Sequence, residues 1–203
     1  MLDIDAKAAE KTAAEIRGEG YKAQAFALDV TDRQACHTVA KQVAAKAGHV
    51  SILVNCAGIT RRNAFIAVPD TVAKDWQDIM AINLNGTFNV TQALLGALRA
   101  AKGRVVNIGS IQSFVNLRIP SSTAYTASKH GVLGFTKALA AELGKDGVRV
   151  NNPELVKIFI DHTPLGRAGK PEDIVGPAIF LASDLSAYIT CTIVMADGGY
   201  RTV

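Results

Sequence analysis

The chain has 203 residues, nearly half of them apolar and a fifth charged, the composition of one folded domain with a sizeable core. Its formal charge is +4, but Lys and Arg alternate with Asp and Glu, and Arg61-Arg62 is the only adjacent basic pair. That distribution argues against a nucleic-acid-binding protein, and no apolar run approaches the length of a membrane span. Cys36, Cys56 and Cys191 are odd in number and lack metal-ligand spacing, so free thiols in a reducing cytoplasm are expected. No metal site is expected from His37, His49, His130 and His162, which share no ligand spacing either.

The opening residues, MLDIDAKAAEK, are charged from the third position and hold no apolar stretch of the signal-peptide kind. Residues 6–18 predict a helix ended by Gly18 and Gly20. Residues 23–30 predict a strand, and 32–47 a helix capped by Thr31 or Asp32. The apolar run 51–58 predicts a buried parallel strand closed by Gly58. A long helix is predicted over 71–101, a strand over 103–110, a second long helix over 122–144 and a strand over 148–151. Pro171-Glu172-Asp173 opens a further helix, with Pro177 inside it, and 192–199 closes as strand and turn. The alternation predicts an α/β fold: a parallel sheet with helices on both faces, and one domain over residues 1–203.

Chemistry concentrates in Tyr125-Thr126-Ala127-Ser128-Lys129. Residues four apart share a helix face, so the phenol and the ammonium can point into one cleft. A positive charge nearby favours the phenolate and lowers the tyrosine pKa toward neutrality. Tyr and Lys at this spacing are also common on plain helix surfaces. Ser110 ends a predicted buried strand, where α/β sheets bind ligands; a serine there also serves as a turn cap. Ser113, in the loop beyond, is the weaker candidate. Asn83, with Asn85 and Gly86, sits poorly in a helix interior, which points to a kink or a bound water there. Asn55-Cys56-Ala57-Gly58 ends a strand in a tight turn, with Asn55 placed to pin neighbouring strands and Gly58 allowing close approach. Asp29 ends a strand, to contact a ligand base or to cap the next helix. Asp3 is placed for a ribose hydroxyl pair or, like Asp5, for capping. Gly18-Glu19-Gly20-Tyr21-Lys22-Ala23 fits a dinucleotide fingerprint in letters only, because it follows a helix and precedes a strand.

From Asp3 onward the chain resembles the short-chain dehydrogenase/reductase family. Asn55-Cys56-Ala57-Gly58 is similar to that family's Asn-Asn-Ala-Gly turn. Asn83, Ser110, Tyr125 and Lys129 match its active-site residues, and Leu28-Asp29-Val30 its adenine-contacting segment. Gly166-Arg167, Pro171-Glu172-Asp173, Phe180-Leu181-Ala182-Ser183 and Asp197-Gly198-Gly199 recur at the expected places. The resemblance implies a Rossmann-like doubly wound parallel sheet. It implies hydride transfer between a nicotinamide cofactor and a secondary alcohol or ketone, with Tyr125 exchanging the proton. Ser110 would orient the oxygen, Lys129 lower the tyrosine pKa and bind ribose, and Asn83 hold a relay water. Asp3, Asp29, Val30, Asn55, Ala57, Gly58, Tyr125 and Lys129 are the implied cofactor-binding residues. Asp3 favours NAD over NADP. A homotetramer through the two long helices is implied by the same likeness.

Three departures from the family pattern stand out. The opening strand, glycine-rich turn and first helix are expected to be missing, so the sheet is expected to be incomplete at its first strand. Unsatisfied buried backbone groups there would cost about 1–3 kcal/mol each, against a domain stability of roughly 5–15 kcal/mol. Asn151-Asn152 runs into Pro153-Glu154-Leu155 where the family has a Pro-Gly turn and substrate loop. Cys191 stands where glycine is common. Two readings follow: a cytoplasmic enzyme acting on a small alcohol or carbonyl compound, or a catalytically inactive remnant acting through protein contacts. Arg61, Arg62, Gln112, Asn116 and Arg118, in loops near the cleft, suggest a sugar or polyol substrate.

Overall fold

The computed structural model describes residues 1–114, 123–153, 164, 165, 167 and 169–199. Asn116, Arg118, Glu154, Leu155, His162 and Gly166 lie outside these. The elements are β1 (Leu2–Asp3), α1 (Ala6–Gly18), β2 (Phe26–Ala27), α2 (Arg33–Ala47), β3 (Ile52–Asn55), α3 (Pro69–Ile79), a π-helix (Met80–Gly86), α4 (Thr87–Ala100), β4 (Arg104–Asn107), α5 (Thr123–Leu143), β5 (Arg149–Pro153), α6 (Pro171–Ala182) and β6 (Ile193–Val194). Every ladder is parallel. The described strands form two sheets, β1-β2 and β3-β4-β5-β6.

Strand alternation and helix packing explain the layers. Val105 and Val106, adjacent on β4, are both fully buried, so that strand is covered on both faces. One face carries the main core, in which Leu53, Val105 and Val150 meet Val39 of α2, Leu94 of α4 and Ala140 of α5. α6 packs on β4 and β5. Its start is fixed by Asp173, whose Oδ2 accepts from the Lys170 backbone at 2.7 Å and from Arg167 at 2.6 Å. The Arg167 guanidinium holds the Asp173 carboxyl well below the usual carboxylate range. Among the described residues no helix is long and apolar enough to cross a membrane.

Helix caps follow local chemistry. Asp5 caps α1, accepting from the Lys7 and Ala8 amides at 2.9 and 3.1 Å, and Asp32 caps α2 through the Ala35 amide at 2.9 Å. Two expectations are corrected. The strand over 23–30 is regular only at Phe26–Ala27. The helix over 71–101 begins at Pro69, whose missing N–H suits a first helical turn, and contains seven π-helical residues at its centre.

Candidate active site

The site lies beyond the carboxyl ends of β3 and β4, where the Asn55 loop, the π-helix and the start of α5 converge. Asn55 of β3 donates through Nδ2 to Asn107 Oδ1 of β4 at 2.8 Å and to Thr91 Oγ1 of α4 at 2.9 Å. Asn107 in turn donates to Thr136 Oγ1 of α5 at 2.9 Å. Two strands and two helices are thereby held by one chain of side-chain bonds, as the position of Asn55 suggested.

The π-helix explains the Asn-Leu-Asn-Gly run. Its i→i+5 pattern inserts a residue into the helix at the place where Asn83 is buried, 1% exposed. Asn83 Oδ1 accepts from the Ile59 amide at 2.8 Å, and Nδ2 donates to the Ile59 carbonyl at 2.9 Å and to Ser128 Oγ at 3.1 Å. Both Nδ2 protons are thus committed to protein. The amide clamps the loop after Gly58. Gly86, at the end of the π-helix, lies against Val30: a Cβ there would sit 2.5 Å from Val30 Cγ2. Sequence reasoning gave Ser128 no role, yet it bridges Asn83 to the Tyr125 carbonyl, which its hydroxyl reaches at 2.8 Å.

Tyr125, Ser110 and Lys129 come together. The phenol hydrogen-bonds Ser110, and Lys129 Nζ lies 5.7 Å from the Tyr125 ring centre. Lys129 is 7% exposed and donates to the Ile108 carbonyl at 2.8 Å, an anchor that no sequence signal announced. Ser110 Oγ also accepts from the Gln112 amide at 3.2 Å, which makes it a turn cap. Burial pushes the Tyr125 phenol up from its ordinary value, and the Ser110 bond pulls it down by less. The net direction is therefore opposite to the lowering expected from Lys129: removal from water costs the phenolate more than its hydrogen bond restores. Ser113 is buried, and its hydroxyl has no hydrogen-bond partner among the described residues.

The remaining candidates ring the same end of the fold. Gly58 is next to this group, since a Cβ on it would lie 3.4 Å from Asn83 Oδ1 and 4.0 Å from Lys129 Nζ. Ala57 and Gly58 are exposed. Asp3 is exposed at the end of β1 and accepts from the Asp5 amide at 2.9 Å through Oδ1. Asp29 does not cap α2; its Oδ1 accepts from the Thr31 amide and hydroxyl, both at 2.8 Å. The Val30 carbonyl accepts from Asn89 Nδ2 at 3.0 Å. Arg61 and Arg62 are exposed, and Gln112 Oε1 accepts from Thr126 at 2.8 Å. A separate cavity of about 400 Å³, lined by Phe65, Val72, Trp76, Asn63, Asp75 and Ala124 among others, adjoins the start of α5. No cluster of potential metal ligands occurs among the described residues.

Comparison with known proteins shows the family. The family described as Enoyl-(Acyl carrier protein) reductase matches residues 1–201. The D-threitol dehydrogenase of Mycolicibacterium smegmatis is 38% identical over 98% of this chain and 81% of its own. This chain is a short-chain dehydrogenase/reductase. The galactitol 2-dehydrogenase (L-tagatose-forming) of Cereibacter sphaeroides is 37% identical over 98% of this chain and 84% of its own. A gluconate 5-dehydrogenase from Burkholderia cenocepacia, solved with NADP and tartrate, superposes with a TM-score of 0.91 at 31% identity, covering 100% of this chain and 85% of that one. As a member of the family, this short-chain dehydrogenase/reductase is an NAD(P)-dependent oxidoreductase of small alcohols or carbonyl compounds with a Rossmann-like α/β fold.

Proposed function

We propose that the chain interconverts a secondary alcohol and a ketone on a polyol or sugar-derived substrate, using NAD. The hydrogen bond between Tyr125 and Ser110, with Lys129 fixed beside the ring, carries this reading. In the reducing direction Tyr125 Oη gives its proton to the carbonyl oxygen, and in the oxidising direction it takes the proton of the alcohol. Ser110, its oxygen already bonded to the Gln112 amide, turns its own proton toward the substrate oxygen and polarises it. Lys129 holds a positive charge near the phenol, and Asn83 positions the loop after Gly58.

The residues present fit a nicotinamide cofactor. Ala57 and Gly58 are exposed beside Lys129 Nζ, and Asp3 presents a carboxylate at the end of β1. When bound, the cofactor supplies or accepts the hydride. Asp3, Asp29, Val30, Asn55, Ala57, Gly58, Tyr125 and Lys129 are the residues we assign to holding it, and the carboxylate of Asp3 disfavours the extra phosphate of NADP by like-charge repulsion. Residues 1–203 act as one domain in this reading, and exposed Phe88 on α4 beside Phe135 on α5 supports an oligomer through those helices.

Steady-state assays with NAD and NADP against threitol, galactitol and gluconate test this. Turnover is expected with at least one of them, and Tyr125→Phe should lower it by about 100-fold or more. Asp3→Ala should shift preference toward NADP. Full activity of the Phe variant would sink the assignment. The apolar lining of the 400 Å³ cavity beside α5 favours a second reading, an acyl-chain ketone substrate, which the same assays distinguish by including a 3-oxoacyl thioester.

A further inference from the structure

One face of α3 is apolar with a single exception. Val72, Trp76 and Ile79 follow the three- and four-residue spacing of an apolar stripe. Asp75 stands within that stripe and is only 8% exposed. A carboxylate in such a place is costly unless it is both hydrogen-bonded and paired with a cation. Its Oδ2 accepts from Asn63 Nδ2 at 2.8 Å, but a neutral amide brings no compensating charge.

No cation in the fold supplies that charge. Lys74, beside Asp75 in the chain, pairs with Asp78 at 2.7 Å. Arg61 and Arg62, close to Asn63 in the chain, are exposed. Among the described residues no Lys, Arg or His forms an ion pair with Asp75. Asp75 does not belong to a cluster of potential metal ligands among those residues either.

The carboxylate instead borders the 400 Å³ cavity beside the start of α5, a size within the range of small-molecule sites, about 300–1,000 Å³. Phe65, Val72 and Trp76 share its lining with Asp75. Phe65 and Trp76 are 70% and 44% exposed, so an occupant would cover apolar surface that water now wets. Oδ1, the oxygen that Asn63 leaves free, is not sealed inside protein. Tyr125, Ser110 and Lys129 are not among the walls, so the cavity is distinct from the place of hydride transfer.

We propose that this cavity binds a small organic ammonium ion, a primary amine with an apolar body. Its N–H groups donate to Asp75 Oδ1 in a charge-assisted hydrogen bond. The rings of Phe65 and Trp76 favour a cation near their faces, and Val72 takes the apolar body. The ammonium thus provides the counter-charge that the fold leaves out. An uncharged occupant such as an acyl chain would keep the carboxylate buried without a cation.

Trp76 is the only tryptophan of the chain and lines the cavity, so its fluorescence reports occupancy. The 203-residue chain is titrated at neutral pH with 2-phenylethylamine, which is charged, and with 2-phenylethanol, which has nearly the same shape and no charge. The amine should give a saturable change with an affinity at least about tenfold above that of the alcohol. Asp75→Asn keeps an acceptor for Asn63 and removes the charge, and should bring the amine down to the affinity of the alcohol. The comparison of the two ligands on the unaltered chain decides the matter even where the variant fails to fold. Three results overturn the proposal: no saturable response to the amine, equal affinity for amine and alcohol, which would give the cavity to an apolar chain, or undiminished amine binding by an Asp75→Asn variant shown to be folded by circular dichroism.

Discussion

Tyr125 and Ser110 are joined by a hydrogen bond that opposes, without overcoming, the effect of burial on the phenol. The neutral phenol is therefore favoured in the folded chain beyond the ordinary tyrosine pKa near 10. Spectrophotometric titration, taken as the difference between the chain and Tyr125→Phe, should show one ionisation with its midpoint above 10. Ser110→Ala removes the opposing bond and should move that midpoint further up. The sign for stability follows: the contribution is intact below the unfolded value and declines as pH rises from there through the folded value, because the unfolded chain releases this proton first. A midpoint at or below 10 would contradict the burial argument.

Asn83→Ala removes three hydrogen bonds, two of them to the backbone of Ile59. Leaving those groups unsatisfied should cost about 2 kcal/mol or more, read by denaturant unfolding. The Ile59 amide should lose exchange protection in the same variant. Thr87, which bonds the Asn83 carbonyl and not its side chain, should keep its protection.

Cys191 has φ +57, a left-handed conformation that costs a residue with a Cβ about 1–2 kcal/mol. Cys191→Gly relieves that strain but frees the unfolded chain. A net gain of about 0.5–1 kcal/mol is expected, seen as a higher melting temperature. An unchanged or lower value would mean that contacts of the thiol, such as its 3.9 Å approach to the Lys137 carbonyl, outweigh the strain.

The three thiols should separate by reactivity. Burial, with the charges of Asp32 and Asp29 behind it, pushes the Cys36 thiol up, while Cys56 and Cys191 are exposed. Labelling near pH 8 should modify Cys56 and Cys191 first and Cys36 last. Because Cys56 adjoins Ala57 and Gly58, NADH should slow its labelling and leave Cys191 unaffected. Equal labelling of Cys56 with and without NADH would argue against the cofactor placement.

Much of this was legible from residue patterns. Helices α1, α2, α5 and α6 fall where capping residues and apolar periodicity put them, and β3 and β4 where apolar runs end in Asn and Gly. Tyr125 and Lys129 come together because one helical turn separates them, and Asn55 does pin its neighbours. Other features needed coordinates. The helix interior around Asn83 reads as weak, but only the π-helical backbone shows that the weakness accommodates a clamp on Ile59. The direction of the Tyr125 shift depends on how far burial outweighs a hydrogen bond, which no sequence spacing encodes. The Ile108 carbonyl that anchors Lys129 carries no side-chain signature at all. Strands were overestimated at 23–30 because composition marks apolar residues and pairing requires a partner strand.

The seven residues Met80–Gly86 also hold an extra residue that a regular α-helix would not place in that stretch. The bulge absorbs it locally, so the helix beyond keeps its phase and Thr91 stays on Asn55. Removing it would let the segment relax into ordinary α-helix, locally more regular, but would leave no bulge to carry the Asn83 amide to Ile59. The chain length at this point is thus dictated by one side chain's reach, and a shorter, straighter rod would be a poorer protein.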